Sequence, residues 1–268
     1  MLNEQGFATA AARQAALDRR LAALRSAPAA TKGFTVFAEA GQLQNKFAAV
    51  EGLPAVAMRS SGGLAGGLWR EGRWIVGATI ANDRTRADLD DFGGHARIKT
   101  TTPGLFAQYD AGRFFVQGAA SLGNDKYTLL RGNGLFARPS LLSAAVSGTR
   151  TDLSLTAGTT YTGKAGDWSL TPYAGILSSQ VRLDDFAETR VSGIMTTGLA
   201  FKNWSVSSLR TRAGFDLART GRRVTPRVSV VWLHELEKDR HFDAGLVGAG
   251  GAMYRAPGRP AETDIIQA

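Results

Sequence analysis

The stretch Thr151-Asp152-Leu153-Ser154-Leu155-Thr156-Ala157-Gly158-Thr159-Thr160-Tyr161 decides the fold class. Successive side chains of an extended chain point to opposite faces. Leu153, Leu155, Ala157 and Tyr161 therefore share one face, and Asp152, Ser154, Thr156, Gly158 and Thr160 share the other. The same period of two recurs in Trp74, Val76, Ala78, Ile80 against Gly77 and Thr79. It returns in Phe114, Val116, Gly118, Ala120, Leu122 against Gln117, Ala119 and Ser121, and in Leu209, Ala213, Phe215, Leu217 against Arg210, Arg212, Gly214 and Asp216. Such alternation predicts strands with one greasy and one wet face. Ten are expected, over 34–41, 58–70, 73–82, 97–110, 113–124, 148–162, 167–178, 204–219, 223–236 and 241–254.

The connections between them fall into two classes. Trp69 to Trp74, Tyr109 to Phe114, Tyr161 to Trp168 and Leu217 to Arg222 read as tight hairpins with a glycine for positive φ, and aromatic residues flank the first three. Longer polar connectors are expected from Asn82 to Ala96, Asn124 to Gly148 and Gln180 to Ser192. Short turns at one end, long loops at the other and aromatic rings at the short-turn end describe an up-and-down barrel of the outer-membrane type. Hydrocarbon offers no hydrogen-bond partner, so backbone crosses it only as helices or closed barrels. No apolar run approaches the roughly 18 residues of a spanning helix. Trp69, Trp74, Tyr109, Phe114 and Trp168 are then expected in the interfacial girdle. The wet face is too polar and too rich in glycine for the core of a soluble sandwich.

Composition bounds the remaining classes. The chain has 268 residues, 32 of them glycine, with no cysteine and a formal net charge of +9. Disulfide frameworks, cysteine-ligated zinc and thiol nucleophiles are excluded. Nucleic-acid binding needs basic residues gathered on one face. Arg19-Arg20 and Arg222-Arg223 are the only basic doublets, and no aromatics alternate with basic residues, so no nucleic-acid partner is expected. Met1-Leu2-Asn3-Glu4-Gln5-Gly6 has neither the basic nor the apolar region of a secretion signal, which an extracytoplasmic protein would have to carry elsewhere.

Residues 3–26 follow a different period. The segment is rich in alanine, Leu17, Leu21 and Leu24 repeat at helical spacing, and Pro28 stops it. A helix of this length reaches roughly 30 Å, about the thickness of a bilayer core, and its small side chains keep it thin.

The opening Gly33-Phe34-Thr35-Val36-Phe37-Ala38-Glu39-Ala40 after an alanine-rich helix resembles the entry into the translocator barrel of type V autotransporters, most closely the branch with GDSL-type esterase passengers. Residues 207–214, Ser-Ser-Leu-Arg-Thr-Arg-Ala-Gly, resemble a mid-barrel strand of that family, and residues 226–236, Pro-Arg-Val-Ser-Val-Val-Trp-Leu-His-Glu-Leu, resemble the strand after it. The resemblance implies a twelve-stranded transmembrane β-barrel plugged by the N-terminal helix, with residues 1–30 as linker and plug and residues 31–268 as the barrel. It implies an outer-membrane location, a covalently linked passenger, insertion by the barrel-assembly machinery, and no nucleotide, metal or other cofactor. The family's closing strands are not legible: residues 264–268 read as the start of another strand, a deficit of roughly 25 residues. Truncation is therefore expected, leaving sheet edges open and autonomous insertion poor.

On the alternating register Glu39, Asp152, Arg210, Arg212, Asp216, Arg227 and Glu235 fall on the wet face, where they are expected to line the lumen and hold the helix. Catalysis has little support. His95 and His241 read as loop residues, His234 faces outward near a strand end, no serine is placed beside any of them, and no G-x-S-x-G occurs. A passenger-free pore or adhesin-like barrel, and a barrel lipid hydrolase, stand as alternatives.

Overall fold

Alternation of this kind does become strands. The computed structural model describes residues 2–26, 32–47, 55–89, 94–133, 140–163, 168–193, 198–202, 204–219, 226–237, 240–248, 252–257 and 264–267. They form one helix, α1 (Leu2–Ser26), and sixteen strands: β1 (Lys32–Phe47), β2 (Val56–Glu71), β3 (Trp74–Leu89), β4 (Gly94–Asp110), β5 (Phe114–Asn133), β6 (Ser140–Thr159), β7 (Tyr161–Thr162), β8 (Trp168–Leu183), β9 (Phe186–Ala187), β10 (Thr189–Ser192), β11 (Leu199–Lys202), β12 (Ser205–Arg219), β13 (Arg227–Glu235), β14 (His241–Leu246), β15 (Tyr254–Pro257) and β16 (Asp264–Gln267). The main sheet runs β1-β2-β3-β4-β5-β6-β8-β12-β13-β16, with β7 beside β8 and β10 beside β6. Every pairing is antiparallel. This is the up-and-down β-barrel architecture, curled around α1.

The greasy rows stay outside. Val36 is 71% exposed, Leu105 68%, Phe114 66% and Leu155 50%, and all four alternate with residues turned towards the helix. On β5 the apolar outer row, Phe114 to Leu122, covers about 27 Å of strand. At a barrel tilt of about 40° that spans about 21 Å, most of the roughly 25 Å apolar band of an outer-membrane barrel. Trp74 packs against Tyr109 across β3 and β4 at 4.8 Å between ring centroids, beside the short turns. Gly72 (φ 56°) and Gly112 (φ 85°) adopt the left-handed conformation that the first two hairpins require.

Three expectations need correction. The connectors 82–96, 124–148 and 180–192 are largely strand: β3 runs to Leu89, β4 begins at Gly94, β5 runs to Asn133, β6 begins at Ser140 and β8 runs to Leu183. Above the apolar band the pattern changes phase, with Arg84, Arg86, Arg97 and Lys99 outside and Ala87, Ala96, Ile98, Tyr127, Val146 and Val181 buried inside. A pleated sheet that leaves the membrane needs water on its outer side and packing on its inner side, so the alternation survives but the faces exchange character. His95, expected in a loop, accordingly lies within β4. Second, 241–254 is not the next strand of the barrel. His241, also expected in a loop, opens β14, which joins β15, β11 and β9 in a separate four-stranded sheet. The neighbour of β13 is β16, through Leu233↔Ile265 and His234↔Asp264. Third, 148–162 is not one strand, since β6 ends at Thr159 and β7 covers two residues. Residues 220–225 of the fourth hairpin, including Arg222-Arg223, residues 164–167 of the third, and Pro28 lie outside the described residues.

The small sheet contributes to a cap at the long-loop end. Phe186, Phe201, Trp204 and Phe242 stack there, with Trp204 and Phe242 at 4.4 Å and 9° between planes. They join Val56, Ile98, Tyr127, Val181, Leu183 and Phe7 of the helix in one buried cluster.

If the exposed rows face lipid, an outward charge at mid-band is costly while one above the band is not. Leu105→Arg is expected to destabilise the folded barrel in bilayers by about 2–4 kcal/mol, against at most about 1 kcal/mol for Thr128→Arg. Denaturant titration in lipid vesicles checks this difference.

Candidate functional site: the helix inside the sheet

The inner faces of β1 to β6, β8 and β12 meet α1. Near the short turns the helix is held by packing: Ala16, Leu17 and Leu21 bury against Leu64, Leu68, Ile75, Ala81 and Phe106, and Leu24 packs on the same cluster. Gly66 and Gly77 make room there, since a Cβ on either would strike the ring of Phe37 or Phe106. Arg25 lies 3.8 Å over the ring of Phe115 and donates to Gln108 Oε1 (2.9 Å) and Gln117 Oε1 (3.1 Å). Arg70 Nη1 donates to the Leu24 carbonyl at 3.4 Å, satisfying one of the acceptors that a helix end leaves open.

Along the middle, charges take over. Arg13 reaches Asp83 of β3 (2.8 Å) and Asp152 of β6 (3.2 Å). Arg150, 1% exposed, bonds Asp152 (3.2 Å), Asp125 (3.5 Å) and Thr102 (3.3 Å), while Thr100 and Tyr127 donate to Asp125 at 2.7 and 3.0 Å. Asp18 pairs with Arg212 of β12 at 2.6 Å and accepts from Gln14 (2.8 Å) and Gln117 (2.5 Å). Arg19 pairs with Glu39 of β1, and its carbonyl accepts from Arg227 of β13 at 3.0 Å. At the long-loop end Glu235 is almost fully buried and accepts from Ser208 (2.5 Å), Arg210 (2.9 Å), Arg240 (3.2 Å) and the Leu209 amide (3.0 Å). Arg210 and Arg240 also stand over the ring of Phe7, 5.9 and 4.9 Å from its centroid.

All seven residues singled out from the register thus stand on the face turned towards the helix. Glu39, Asp152, Arg212 and Arg227 bond it directly. Arg210 reaches it through the Phe7 ring, Glu235 holds Arg210, and Asp216 accepts from Ser229 at 2.5 Å. The sequence reading missed Asp83, Asp125, Arg150, Gln108 and Gln117 on the wall, and Arg13, Asp18, Arg19 and Arg25 as their partners on the helix. Asp83 and Asp125 fall in segments read as loops, where no face could be assigned. The pairing of helix to wall is invisible to any local period.

Beside the helix, between β1 and the β12, β13 and β16 side, lies a cavity of about 740 Å³ lined by Arg19, Glu39, Asn45, Asp216, Ser229 and Ile265 among others. Among the described residues β1 is hydrogen-bonded to β2 alone and β16 to β13 alone. No cluster of metal-ligating side chains occurs among the described residues. His234 lies on the outer face, where Nδ1 sits 2.9 Å from Asp264 Oδ1, on the opposite side of the sheet from Glu235.

Removing one partner of a buried pair strands the other charge. Arg212→Met is expected to cost about 3–5 kcal/mol by abandoning Asp18, whereas Asp18→Asn with Arg212→Met costs less than the sum of the two single changes. Guanidinium unfolding of the four proteins, followed by tryptophan fluorescence, measures the coupling.

Comparison with known proteins agrees with this geometry. Residues 31–267 match the family model for the autotransporter beta-domain. The fold is similar to the translocator domain of the autotransporter NalP from Neisseria meningitidis, with a TM-score of 0.68 and 20% identity over 89% of this chain and 84% of that one. It is also similar to the beta domain of the Bordetella autotransporter BrkA, with a TM-score of 0.54 and 17% identity over 80% of this chain and 86% of that one. No curated protein matches the sequence. With the family model spanning nearly the whole strand region, and a helix threaded through the sheet it describes, the chain belongs to the autotransporters, as the translocator domain that carries a passenger to the cell surface.

Proposed function

We propose that residues 1–30 form the linker and plug, that residues 31–268 form the barrel, and that Glu39, Asp152, Arg210, Arg212, Asp216, Arg227 and Glu235 line a lumen that grips the last segment of a passenger on its way out. The direction of α1 carries this reading. Phe7 sits under the aromatic cap at the long-loop end, while Arg25 sits beside Gln108 and Phe115 at the short-turn end. A polypeptide preceding the helix therefore leaves the barrel on the long-loop side, and β1 begins where the helix ends.

The exposed apolar rows support an outer-membrane lipid environment on the barrel's outside, and a barrel of this kind depends on the barrel-assembly machinery for its insertion. Work is done by binding and threading rather than by bond chemistry: inner carboxylates and guanidinium groups are engaged with each other and with α1, and His234 points to the other face of the sheet. The charges on the wall have a second use in transit. A hydrated, mixed-charge surface lets an extended chain exchange partners step by step, where an apolar wall would retain it.

Two measurements test the proposal. Deleting residues 1–30 is expected to raise single-channel conductance in planar bilayers severalfold, and equal conductance with and without them would show that the helix does not fill the bore. A reporter joined ahead of Met1 behind a secretion signal is expected to become sensitive to protease added to intact cells. A reporter that stays protected would leave a passenger-free pore as the better description.

A further inference from the structure

The outer faces of β2 to β5 change character just above the apolar band. The strand register sets Arg59, Arg86 and Arg97 in one row, through Arg59↔Arg86 and Arg86↔Arg97. It sets Arg84, Lys99 and Lys126 in the next, through Arg84↔Lys99 and Lys99↔Lys126. All six are exposed. Four cross-strand neighbours are therefore of like charge, an arrangement that destabilises a sheet on its own.

Among the described residues compensation is scant. Asp88 is the one acid on this part of the outer face among the described residues, and it bonds Arg86 at 2.8 Å. Arg59, Arg84, Arg97, Lys99 and Lys126 have no ion pair among the described residues. A groove of about 460 Å³ opens among Arg59, Arg84, Arg86, Arg97 and Lys99.

What lies beneath selects the ligand. Continuing down the same strands, the outer row Asn82, Thr101, Asn124 gives way to Ala65, Ile80, Pro103 and Leu122. One outward row separates cations from apolar surface, which puts them roughly 13 Å apart along the strand. The surface thus asks for a molecule with several anionic groups at one end and hydrocarbon at the other. Phosphate suits the first requirement, because an arginine fork meets two of its oxygens at once. A nucleic acid suits only half of the surface: no Trp, Tyr or Phe stands on this part of the outer face among the described residues to stack a base, and the apolar row below would be left uncovered.

We infer that the rows Arg59–Arg86–Arg97 and Arg84–Lys99–Lys126 bind the phosphate groups of an acylated, phosphorylated lipid in the leaflet on the long-loop side of the barrel. This site rests on the membrane reading of the outer face. Lipid phosphates supply the missing counter-charges, and the acyl chains lie along Ile80, Pro103, Leu105 and Leu122. The barrel then takes a fixed depth, because cations and apolar row must both be matched.

The experiment uses the full chain refolded into vesicles of phosphatidylcholine, with or without a minor fraction of a fluorescent acyl glycolipid bearing two phosphates. Protease resistance in the neutral vesicles reports insertion, and energy transfer from the barrel's tryptophans reports enrichment of the phosphorylated lipid around it. R59Q/R84Q/R97Q/K99Q is expected to insert as the parent does and to lose enrichment by about fivefold for each cation removed at low salt. R59K/R84K/R97K, which keeps the charge but loses the forks, is expected to fall between the two. Equal enrichment for parent and R59Q/R84Q/R97Q/K99Q, both inserted, would overturn the site and leave the membrane reading intact. With the barrel-assembly machinery reconstituted in the same vesicles, failure of both to insert would overturn the membrane reading, and the lipid site with it. Inorganic phosphate displacing the glycolipid at millimolar concentration would assign the rows to a free anion, and a short DNA duplex displacing it from inserted barrel would assign them to nucleic acid. Either result overturns the lipid.

Discussion

Hydrocarbon cannot accept a hydrogen bond, and the arrangement of this chain follows from that. From β2 to β12 the peptide groups within the apolar band find partners on both adjacent strands, and an antiparallel meander with short turns at one end supplies those partners with the least connecting chain. Once the backbone is so committed, alternation dictates that one face meets lipid while the other encloses whatever lies within. Val36, Leu105, Phe114 and Leu155 are exposed for this reason, and the carboxylates and guanidinium groups of the same strands have nowhere to go but inward.

An interior of paired charges is costly unless its members satisfy one another. Here the wall alone is incomplete. Asp83 and Asp152 converge on Arg13, Arg212 on Asp18, and Glu39 on Arg19, and each of these partners belongs to α1. Leu17 and Leu21 add an apolar anchor lower down. The helix is thus a structural member of the interior. Its binding is polar enough to be hydrated on separation, which a purely greasy plug would not be.

Much of this was legible in the sequence. Period-two rows at Leu153–Tyr161 and Phe114–Leu122 gave strand and face without coordinates, the leucine repeat gave the helix, and its place inside the sheet came from the family resemblance. The inner position of Arg210, Arg212 and Glu235 followed from the same count. What stayed hidden has a physical cause. Where β3, β4, β5 and β8 rise beyond the lipid band, the apolar residues move to the inner face, and residues such as Arg84 and Arg86 look like the composition of a loop when the period is followed with its first phase. The two outer basic rows could not be read from doublets in the chain, because register across strands assembles them. The strand assigned to 241–254 failed for a related reason. Its residues alternate acceptably, but Phe242 finds a better surface against Trp204 than in lipid.

Two contacts of one residue tie distant parts of the sheet together. Arg19 touches β1 through its side chain and β13 through its carbonyl, so two strands far apart in the sheet are tied to a single turn of helix. The helix therefore acts as a mandrel: the curvature of the wall is gauged to a rod one alanine-rich helix thick. Release of Glu39 or Arg227 would free one side of the wall from the helix while leaving the other tied.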